Sequence, residues 1–266
     1  MAKRKRTEIG ETLRFMAQLA LGVLILRSFI LAPFSIPSES MLPRLYVGDY
    51  LLVAKWPYGY GRWSLPWGVP LLPDLHWSAP TRGDVVVFRS PEPAAGDTDP
   101  AHASHDVIKR VIGLPGDTIQ MRAGQLILNG QPIPKQRVAD FTLPITPNFQ
   151  RCPPGHQEGT ICRYQRYRET LPGGRAYTVL DTGPNYDGDD TSLYSVPAGT
   201  VFLMGDNRDN SADSRFPAPI GMGYIPLSRV EGRALVSFFS TDGSASYLKP
   251  WTWFTAARPE RVGEGF

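Results

Sequence analysis

The hydrophobic pattern of the chain begins with a single long apolar segment. Between Phe15 and Phe34, only Gln18, Arg27 and Ser28 are polar. Twenty residues in an α-helix span about 30 Å, the hydrocarbon thickness of a bilayer. The pattern therefore predicts a transmembrane anchor over residues 15–34, with Arg27 near enough to its outer end to snorkel. No later stretch of the sequence is long and apolar enough for a second span.

The charges that precede this segment predict its orientation. Residues 1–14 contain five Lys or Arg and two Glu, a net charge of +3 that equals the formal charge of the whole protein. Such a basic arm stays cytoplasmic, so everything after Phe34 is predicted to be exported. A cleavable secretory signal begins with the same pattern. We favour an uncleaved anchor because the apolar segment is long and is followed by APFSIP instead of a small-x-small site.

After the anchor, short alternating segments separated by turns predict an antiparallel β protein. Asn129-Gly130 is a hairpin signal, and no alternation of strands with helices is present. The fold class is therefore mainly β: a β-rich core over residues 35–130 and 196–240, an inserted satellite subdomain over 131–195, and a C-terminal tail over 241–266. The predicted strands are Tyr50–Ala54, Asp84–Phe88, Val107–Ile112, Thr118–Gln120, Gln125–Leu128, Val201–Met204 and Arg233–Phe239.

Composition agrees with a loop-rich β protein and argues against a helical bundle, a disordered chain and a nucleic-acid-binding protein. Gly and Pro each number 26, and 42% of the residues are hydrophobic, which excludes a helical bundle and makes intrinsic disorder improbable. Outside the N-terminal arm, basic and acidic residues are equal in number. A nucleic-acid-binding protein would carry an excess of basic residues on a folded face, so no nucleic-acid partner is predicted.

Two features of the exported part have more than one interpretation. Cys152 and Cys162 are predicted to form a local disulfide in an oxidising compartment, in preference to a zinc site, because only His156 lies near them. Residues 56–80 contain four tryptophans among prolines. This stretch is either an ordinary surface hairpin or a contact with the lipid interface, where Trp is favoured.

Three sequence blocks carry the candidate chemistry. They are FSIPSESMLP at residues 34–43, HDVIKRVIGLPGD at 105–117 and MGDNRDNSADSRF at 204–216. In this order behind an N-terminal anchor, they resemble the bacterial type I signal (leader) peptidases, which are membrane-bound serine proteases with a Ser–Lys dyad. The third block is the most specific of the three, because a string of this kind hardly arises by chance.

Lys109 is the best candidate for a general base on the residues alone. Four histidines occur after the anchor, all in polar surroundings typical of surface loops. A lysine acts as a base only when desolvation lowers its pKa far below about 10.4. Of the six lysines, Lys109 alone lies inside an apolar strand pattern, where alternation places it on one face with Val107 and Val111. Burial there predicts a lowered pKa.

Ser40 is the candidate nucleophile, since it matches the reactive serine of the family. It follows the predicted anchor by six residues, so it reaches at most about 20 Å beyond the anchor's end. A hydroxyl tethered there can attack bonds just outside the membrane. By the same resemblance, the hydroxyl of Ser38 and the backbone N–H of Ser40 form an oxyanion hole.

The resemblance implies roles for further residues. Ser211 orients the lysine, Asp213 and Arg215 form a supporting ion pair, and Asp206 with Arg110 forms a second one. A larger set is expected to line shallow pockets for small residues at the −1 and −3 positions of the substrate: Phe34, Ile36, Pro37, Met41, Leu45, Val107 and Ile108.

The sequence therefore predicts a serine endopeptidase that cleaves signal peptides from exported preproteins. It is expected in the bacterial cytoplasmic membrane, with the lipid bilayer and the protein-export machinery as neighbours and with no metal or organic cofactor. The alternatives are a specialised maturation peptidase and an inactive membrane-tethered interaction domain. Self-cleaving SOS repressors share the dyad but carry an N-terminal DNA-binding domain. The S-x-x-K match at Ser246–Lys249 lacks the companion motifs of penicillin-binding enzymes.

Overall fold

The computed structural model describes residues 2–71, 73–91, 104–150, 152, 154–155, 157–184, 186–217, 220–246 and 248–266. An N-terminal apolar helix precedes a body of mainly antiparallel β-structure, which confirms the predicted fold class. Each predicted strand is present, and most are one or two residues longer than the sequence pattern indicated.

The helices are α1 (Ala2–Ile25), which continues as a π-helical turn (Leu26–Ile30), and α2 (Thr252–Ala256), with short 3₁₀ turns at Arg62–Ser64, Pro66–Gly68, Arg208–Asn210, Leu227–Arg229 and Pro259–Arg261. The strands are β1 (Leu31–Ser35), β2 (Asp49–Ala54), β3 (Gly59–Tyr60), β4 (Leu75–His76), β5 (Val85–Arg89), β6 (Asp106–Gly113), β7 (Thr118–Arg122), β8 (Gln125–Leu128), β9 (Gln131–Pro132), β10 (Lys135–Pro144), β11 (Gln157–Glu158), β12 (Ile161–Thr170), β13 (Ala176–Leu180), β14 (Tyr194–Ser195), β15 (Thr200–Met204), β16 (Ile225–Pro226) and β17 (Val230–Ser240).

The apolar helix ends at Ile30 and not at Phe34, where the hydropathy pattern placed the end of the anchor. Leu31 to Phe34 instead form most of β1, with Leu31 opposite Ala54 and Phe34 opposite Leu51 of β2. Apolar side chains are compatible with a membrane helix and with a buried strand, and periodicity alone does not separate the two. In the described part of the chain, Ile9–Ile30 is the helix long and apolar enough to cross a membrane.

Seven strands form the main sheet in the order β1-β2-β17-β5-β6-β15-β16, with every neighbouring pair antiparallel. Besides the outer edge of β16, this sheet has unpaired backbone at β1 and along part of β6 within the described residues. β1 pairs with β2 alone. β6 pairs with β5 along Asp106–Arg110, whereas its pairing with β15 begins only at Arg110. The stretch 106–109 therefore presents a free edge, and it contains Lys109.

All four strands of a second sheet lie within residues 131–195. Strand β12 pairs with β10 along one edge and with β11 and β13 along the other. A disulfide joins Cys152 and Cys162 beside this sheet. The ends of the segment pair elsewhere, because β9 and β14 belong to a third sheet with β7 and β8. Between β8 and β9, Asn129 and Gly130 have φ of 51° and 75°, which is the left-handed backbone that a two-residue hairpin requires.

The tryptophan-rich stretch forms a small hairpin of β3 and β4 that contacts the end of the apolar helix. The Tyr60 hydroxyl donates to the Phe29 carbonyl at 2.7 Å, and the Tyr60 ring packs edge-on against Phe29 and Trp77. Trp56 and Trp77 remain exposed. This position beside the anchor favours the interfacial interpretation of the loop, which stays a prediction.

Candidate active site

Ser40 lies in the turn between β1 and β2, and the third sequence block holds that turn in place. The backbone N–H of Asn207 donates to the Ser40 carbonyl at 3.0 Å, and its side-chain amide donates to the Glu39 carbonyl at 3.2 Å. Ser40 is buried, with 8% of its surface exposed. Its hydroxyl is therefore presented from a backbone fixed by a segment more than 160 residues away in sequence.

The Nζ of Lys109 lies 2.6 Å from the Oγ of Ser40. Lys109 is on the free-edged part of β6, is only 3% exposed, and also donates to the Ile108 carbonyl at 3.1 Å. Burial lowers the pKa of Lys109 to about 8, against the smaller opposing effects of Asp213 and Asp206. Such an amine is neutral in a large fraction of molecules near pH 8, so it can accept a proton from the serine.

Two carboxylates beside the amine are held by arginines. Asp213 accepts from Arg215 Nε at 2.9 Å and from the Gly205 backbone N–H at 3.0 Å. Burial raises the pKa of Asp213, but Arg215 and the backbone donors more than offset this, so the pKa stays below its ordinary value. Asp206 forms a bidentate pair with Arg110 at 2.7 and 2.6 Å. Both ion pairs expected from the resemblance are therefore formed.

Ser38 and Ser211 flank the Ser40–Lys109 pair in different ways. The Ser38 hydroxyl lies 3.3 Å from the Ser40 hydroxyl. Ser211 is buried, but no hydrogen bond joins its Oγ to Lys109 or to any other described group. The expectation that Ser211 bonds the lysine is thus not met in this structure. Its hydroxyl instead lies against Gly205, which the Ser40 carbonyl also approaches.

The predicted pocket residues separate into two sets. Ile36, Met41, Leu45 and Ile108 pack in one cluster, with Phe34 partly buried against it. Val107 packs against the opposite cluster because neighbouring residues of a strand face opposite sides of the sheet. Pro37 is exposed. The cluster around Ile108 thus forms an apolar wall beside the Ser40–Lys109 pair.

Sequence reasoning missed two features near this wall. Gly205 allows the Ser40 turn and Ser211 to approach one backbone position, and only its place in the third block could have indicated this. Lys55 is as buried as Lys109, but its ammonium donates to Glu231 at 2.7 Å and not to a hydroxyl.

His76 and His105 are exposed, whereas His102 and His156 lie outside the described residues. No group of three or more metal-binding side chains occurs in the described part of the chain.

Gly205→Ala is expected to lower kcat by about 10²-fold while the protein still folds. A Cβ at this position would overlap the Ser211 hydroxyl and the Ser40 carbonyl, so the nucleophile must shift. Displacements of about 1 Å in a catalytic group cost rates of this order. Initial-rate kinetics on a model preprotein measure the effect, and Gly265→Ala is the control because that glycine also lacks a positive φ but its added Cβ would make only an ordinary contact, 3.6 Å from the Leu235 carbonyl. Equal losses in both variants would contradict a steric effect on the nucleophile.

The chain is similar to known proteins over most of its length. A family model described as "Signal peptidase, peptidase S26" matches residues 9–239. Signal peptidase I of Rickettsia typhi is 33% identical over 227 residues, which cover 82% of this chain and 75% of the relative. Signal peptidase I of Pseudomonas aeruginosa is 35% identical over 225 residues, covering 82% and 68%. A solved signal peptidase I from Enterococcus faecalis is 26% identical and covers 59% of this chain and 97% of that one, with a TM-score of 0.29.

Proposed function

This chain belongs to the signal peptidase family, peptidase S26, and on that premise we propose that it is a Ser–Lys endopeptidase that removes signal peptides from exported preproteins. The observation that carries the proposal is the buried contact of 2.6 Å between Lys109 Nζ and Ser40 Oγ. A lysine with a lowered pKa beside a serine hydroxyl is an activated nucleophile without histidine.

In the proposed reaction, the Ser40 hydroxyl attacks the scissile carbonyl while neutral Lys109 takes its proton. The resulting ammonium then protonates the leaving amine, and the acyl group remains on Ser40. Water releases the acyl group in a second step, with Lys109 again acting as the base. Asp213 and Asp206 favour the ammonium form that appears in each transition state.

The oxyanion is proposed to be stabilised by the Ser38 hydroxyl and the Ser40 backbone N–H. Support comes from the Ser38 hydroxyl, which lies on the same side of the turn as Ser40 Oγ. Preorganised donors of this kind contribute about 10²–10³ in rate each. Ser211 and Asp213 are proposed to keep the pair in position, Asp213 through its bond to the Gly205 N–H and Ser211 through contact with Gly205.

The substrate is proposed to bind as an extended strand between the free edges of β1 and β6. Unpaired strand edges supply backbone hydrogen bonds to added peptides, while side-chain pockets supply specificity. Alternate substrate side chains at −1 and −3 would then face the apolar wall that includes Ile36, Met41 and Ile108. Those side chains are closely packed, which supports a preference for small residues at both positions.

Members of this family are membrane-associated, and the N-terminal apolar helix fits a membrane anchor. We further propose that the helix crosses the cytoplasmic membrane once, with its basic arm inside and the body on the exported side. Ser40 lies ten residues beyond Ile30, so the nucleophile stays near the bilayer, where a membrane-inserted signal peptide ends.

The purified protein in detergent is expected to cut a model preprotein after an Ala-x-Ala site and to leave a version with Arg at −1 intact. Mass spectrometry of both products identifies the cleaved bond. Cleavage of a single dedicated substrate only would instead favour a specialised maturation peptidase. Intact preprotein under all conditions would contradict the proposal and favour an interaction domain.

A further inference from the structure

A cavity of about 300 Å³ lies at the end of the main sheet nearest the anchor. The five strands β1, β2, β17, β5 and β6, which are neighbours in the sheet, contribute to it directly or through an adjoining residue. The 3₁₀ turns at residues 62–68 and the anchor residue Arg27 complete its lining. Ala32 and Phe34 line it from β1, and Asp106 lines it from the free-edged end of β6. The cavity therefore touches both edges between which the substrate is proposed to lie.

On the sheet face that carries the apolar wall, the side chains change from apolar to charged toward the anchor. In β2, Leu51 and Val53 belong to the apolar wall, and the next residue of the alternation is Lys55. β5 shows the same change at Arg89. A charge at a strand end is commonly exposed to solvent, but Lys55 and Glu231 are 3% and 6% exposed. The Lys55–Glu231 pair is therefore enclosed, whereas Arg27 and Asp106 line the exposed side of the same cavity.

The cavity has an excess of positive charge. Lys55 pairs with Glu231 at 2.7 Å, and Arg89 pairs with Asp106 at 3.0 Å. Within the described residues, no carboxylate pairs with Arg27. Three cations therefore face two carboxylates, and burial raises the pKa of Glu231 to about 7 despite Lys55, so the positive excess grows as Glu231 is protonated. A partly enclosed site with an unpaired positive charge favours an anion or a strong hydrogen-bond acceptor.

The direction of the substrate brings its upstream residues to this cavity. Four antiparallel steps separate β1 from β6, so the two strands run in the same direction, away from the anchor. The apolar part of a signal peptide lies in the membrane and precedes the cleaved bond, so a peptide between the edges runs the same way. Asp106 precedes Lys109 by three residues. Substrate residues just before −3 therefore pass over the cavity.

Strand alternation identifies which substrate residue places its side chain in the cavity. Side chains at −1, −3 and −5 share one face of an extended peptide. The first two face the closely packed apolar wall, and the third reaches the charged cavity. We propose that this cavity is a subsite for the substrate side chain at −5 and that it selects a carboxylate or carboxamide there. The inference rests on the proposed function and adds a specificity determinant to it.

The test uses four model preproteins that differ only in Glu, Gln, Ala or Lys at −5, cleaved by the full-length protein in a neutral detergent. We expect kcat/KM to be about fivefold higher for Glu than for Lys, since partly exposed charge pairs contribute on this scale. Arg27→Gln should reduce this ratio to about two. Arg89→Gln, which removes another cation of the cavity, should act in the same direction.

Arg122→Gln is the matched control, because Arg122 is exposed on β7 and does not line the cavity. Its ratio should equal that of the parent. Equal cleavage of the Glu and Lys substrates by the parent would overturn the subsite but leave the peptidase proposal standing. If none of the four preproteins were cleaved, the proposed function and the subsite would both be wrong. If phosphatidylglycerol raised all four rates equally, and did so only with Arg27 present, the cavity would hold a lipid phosphate and the subsite would be wrong.

Discussion

Replacing Ser40 with alanine is expected to reduce preprotein cleavage by at least about 10⁴-fold while leaving the fold intact. The Oγ of Ser40 is the hydroxyl in contact with Lys109, and loss of a nucleophile in serine proteases has effects of this size or larger. The backbone of the turn should not move, because its bonds to Asn207 use the carbonyls of Glu39 and Ser40. The measurement is kcat/KM on a preprotein, with circular dichroism to verify folding.

Two further serines calibrate this result. Ser38→Ala should lose about 10²–10³ in kcat, the usual contribution of one oxyanion donor. Ser78→Ala should have parental activity, because the Ser78 side chain is exposed and, among the described residues, its hydroxyl bonds only the neighbouring Ala79 carbonyl. If Ser40→Ala kept more than a tenth of the parental rate, another group would be the nucleophile and the Ser–Lys assignment would fail.

Local patterns were sufficient to predict the strands but not the end of the anchor. Alternation placed Val107, Lys109 and Val111 on one face of β6, and Val107 and Val111 do pack in one cluster. The boundary at Ile30 could not be read in the same way. Pairing of Leu31–Phe34 with β2 decides it, and that pairing involves residues 17 to 23 positions away.

The same limitation explains which site residues were found and which were missed. Ser40 could be identified because it lies in a block that resembles a known family, and Lys109 because, in addition, no other lysine lies inside an apolar strand pattern. Lys55 directly follows β2, where a lysine is ordinarily solvated, and its partner Glu231 is 176 residues away. Ser211 was assigned to the lysine by resemblance, yet its contact with Gly205 depends on how the 204–216 block turns around the Ser40 loop. Contacts between distant segments leave no trace in local periodicity.

The segment 131–195 is coupled to the candidate active site by a buried ion pair that composition could not reveal. Glu169 of β12 accepts from Arg208 at 2.9 and 2.6 Å, and both side chains are almost fully buried. The Arg208 carbonyl in turn accepts from Arg215, which holds Asp213. The sheet formed by strands of residues 131–195 thus contributes to the position of a carboxylate that acts on Lys109.

The second large effect is expected at Lys109, where the role of the proton can be separated from that of the charge. Lys109→Arg keeps a positive charge but cannot release its proton near neutral pH, and Lys109→Met removes the base. Both should lose at least about 10⁴ in kcat/KM. A variant with Arg that remained active would show that the group acts through its charge and not as a base. Lys135→Arg is the control, since Lys135 pairs with Asp181 away from Ser40.

The pH dependence gives the sharper test of the same assignment. Burial lowers the pKa of Lys109 from 10.5 to about 8, so the ammonium predominates below pH 8 and the reactive neutral amine above it. The parental kcat/KM should therefore rise about tenfold per pH unit up to pH 8 and level off beyond it.

The same pKa shift affects stability. The unfolded chain binds more protons than the folded protein between pH 8 and 10.5, so Lys109 makes the free energy of unfolding rise with pH in that window. Lys109→Met should lack this rise and be more stable than the parent below pH 8. A flat activity profile from pH 6 to 9, together with an unchanged stability slope in the methionine variant, would rule out Lys109 as the base.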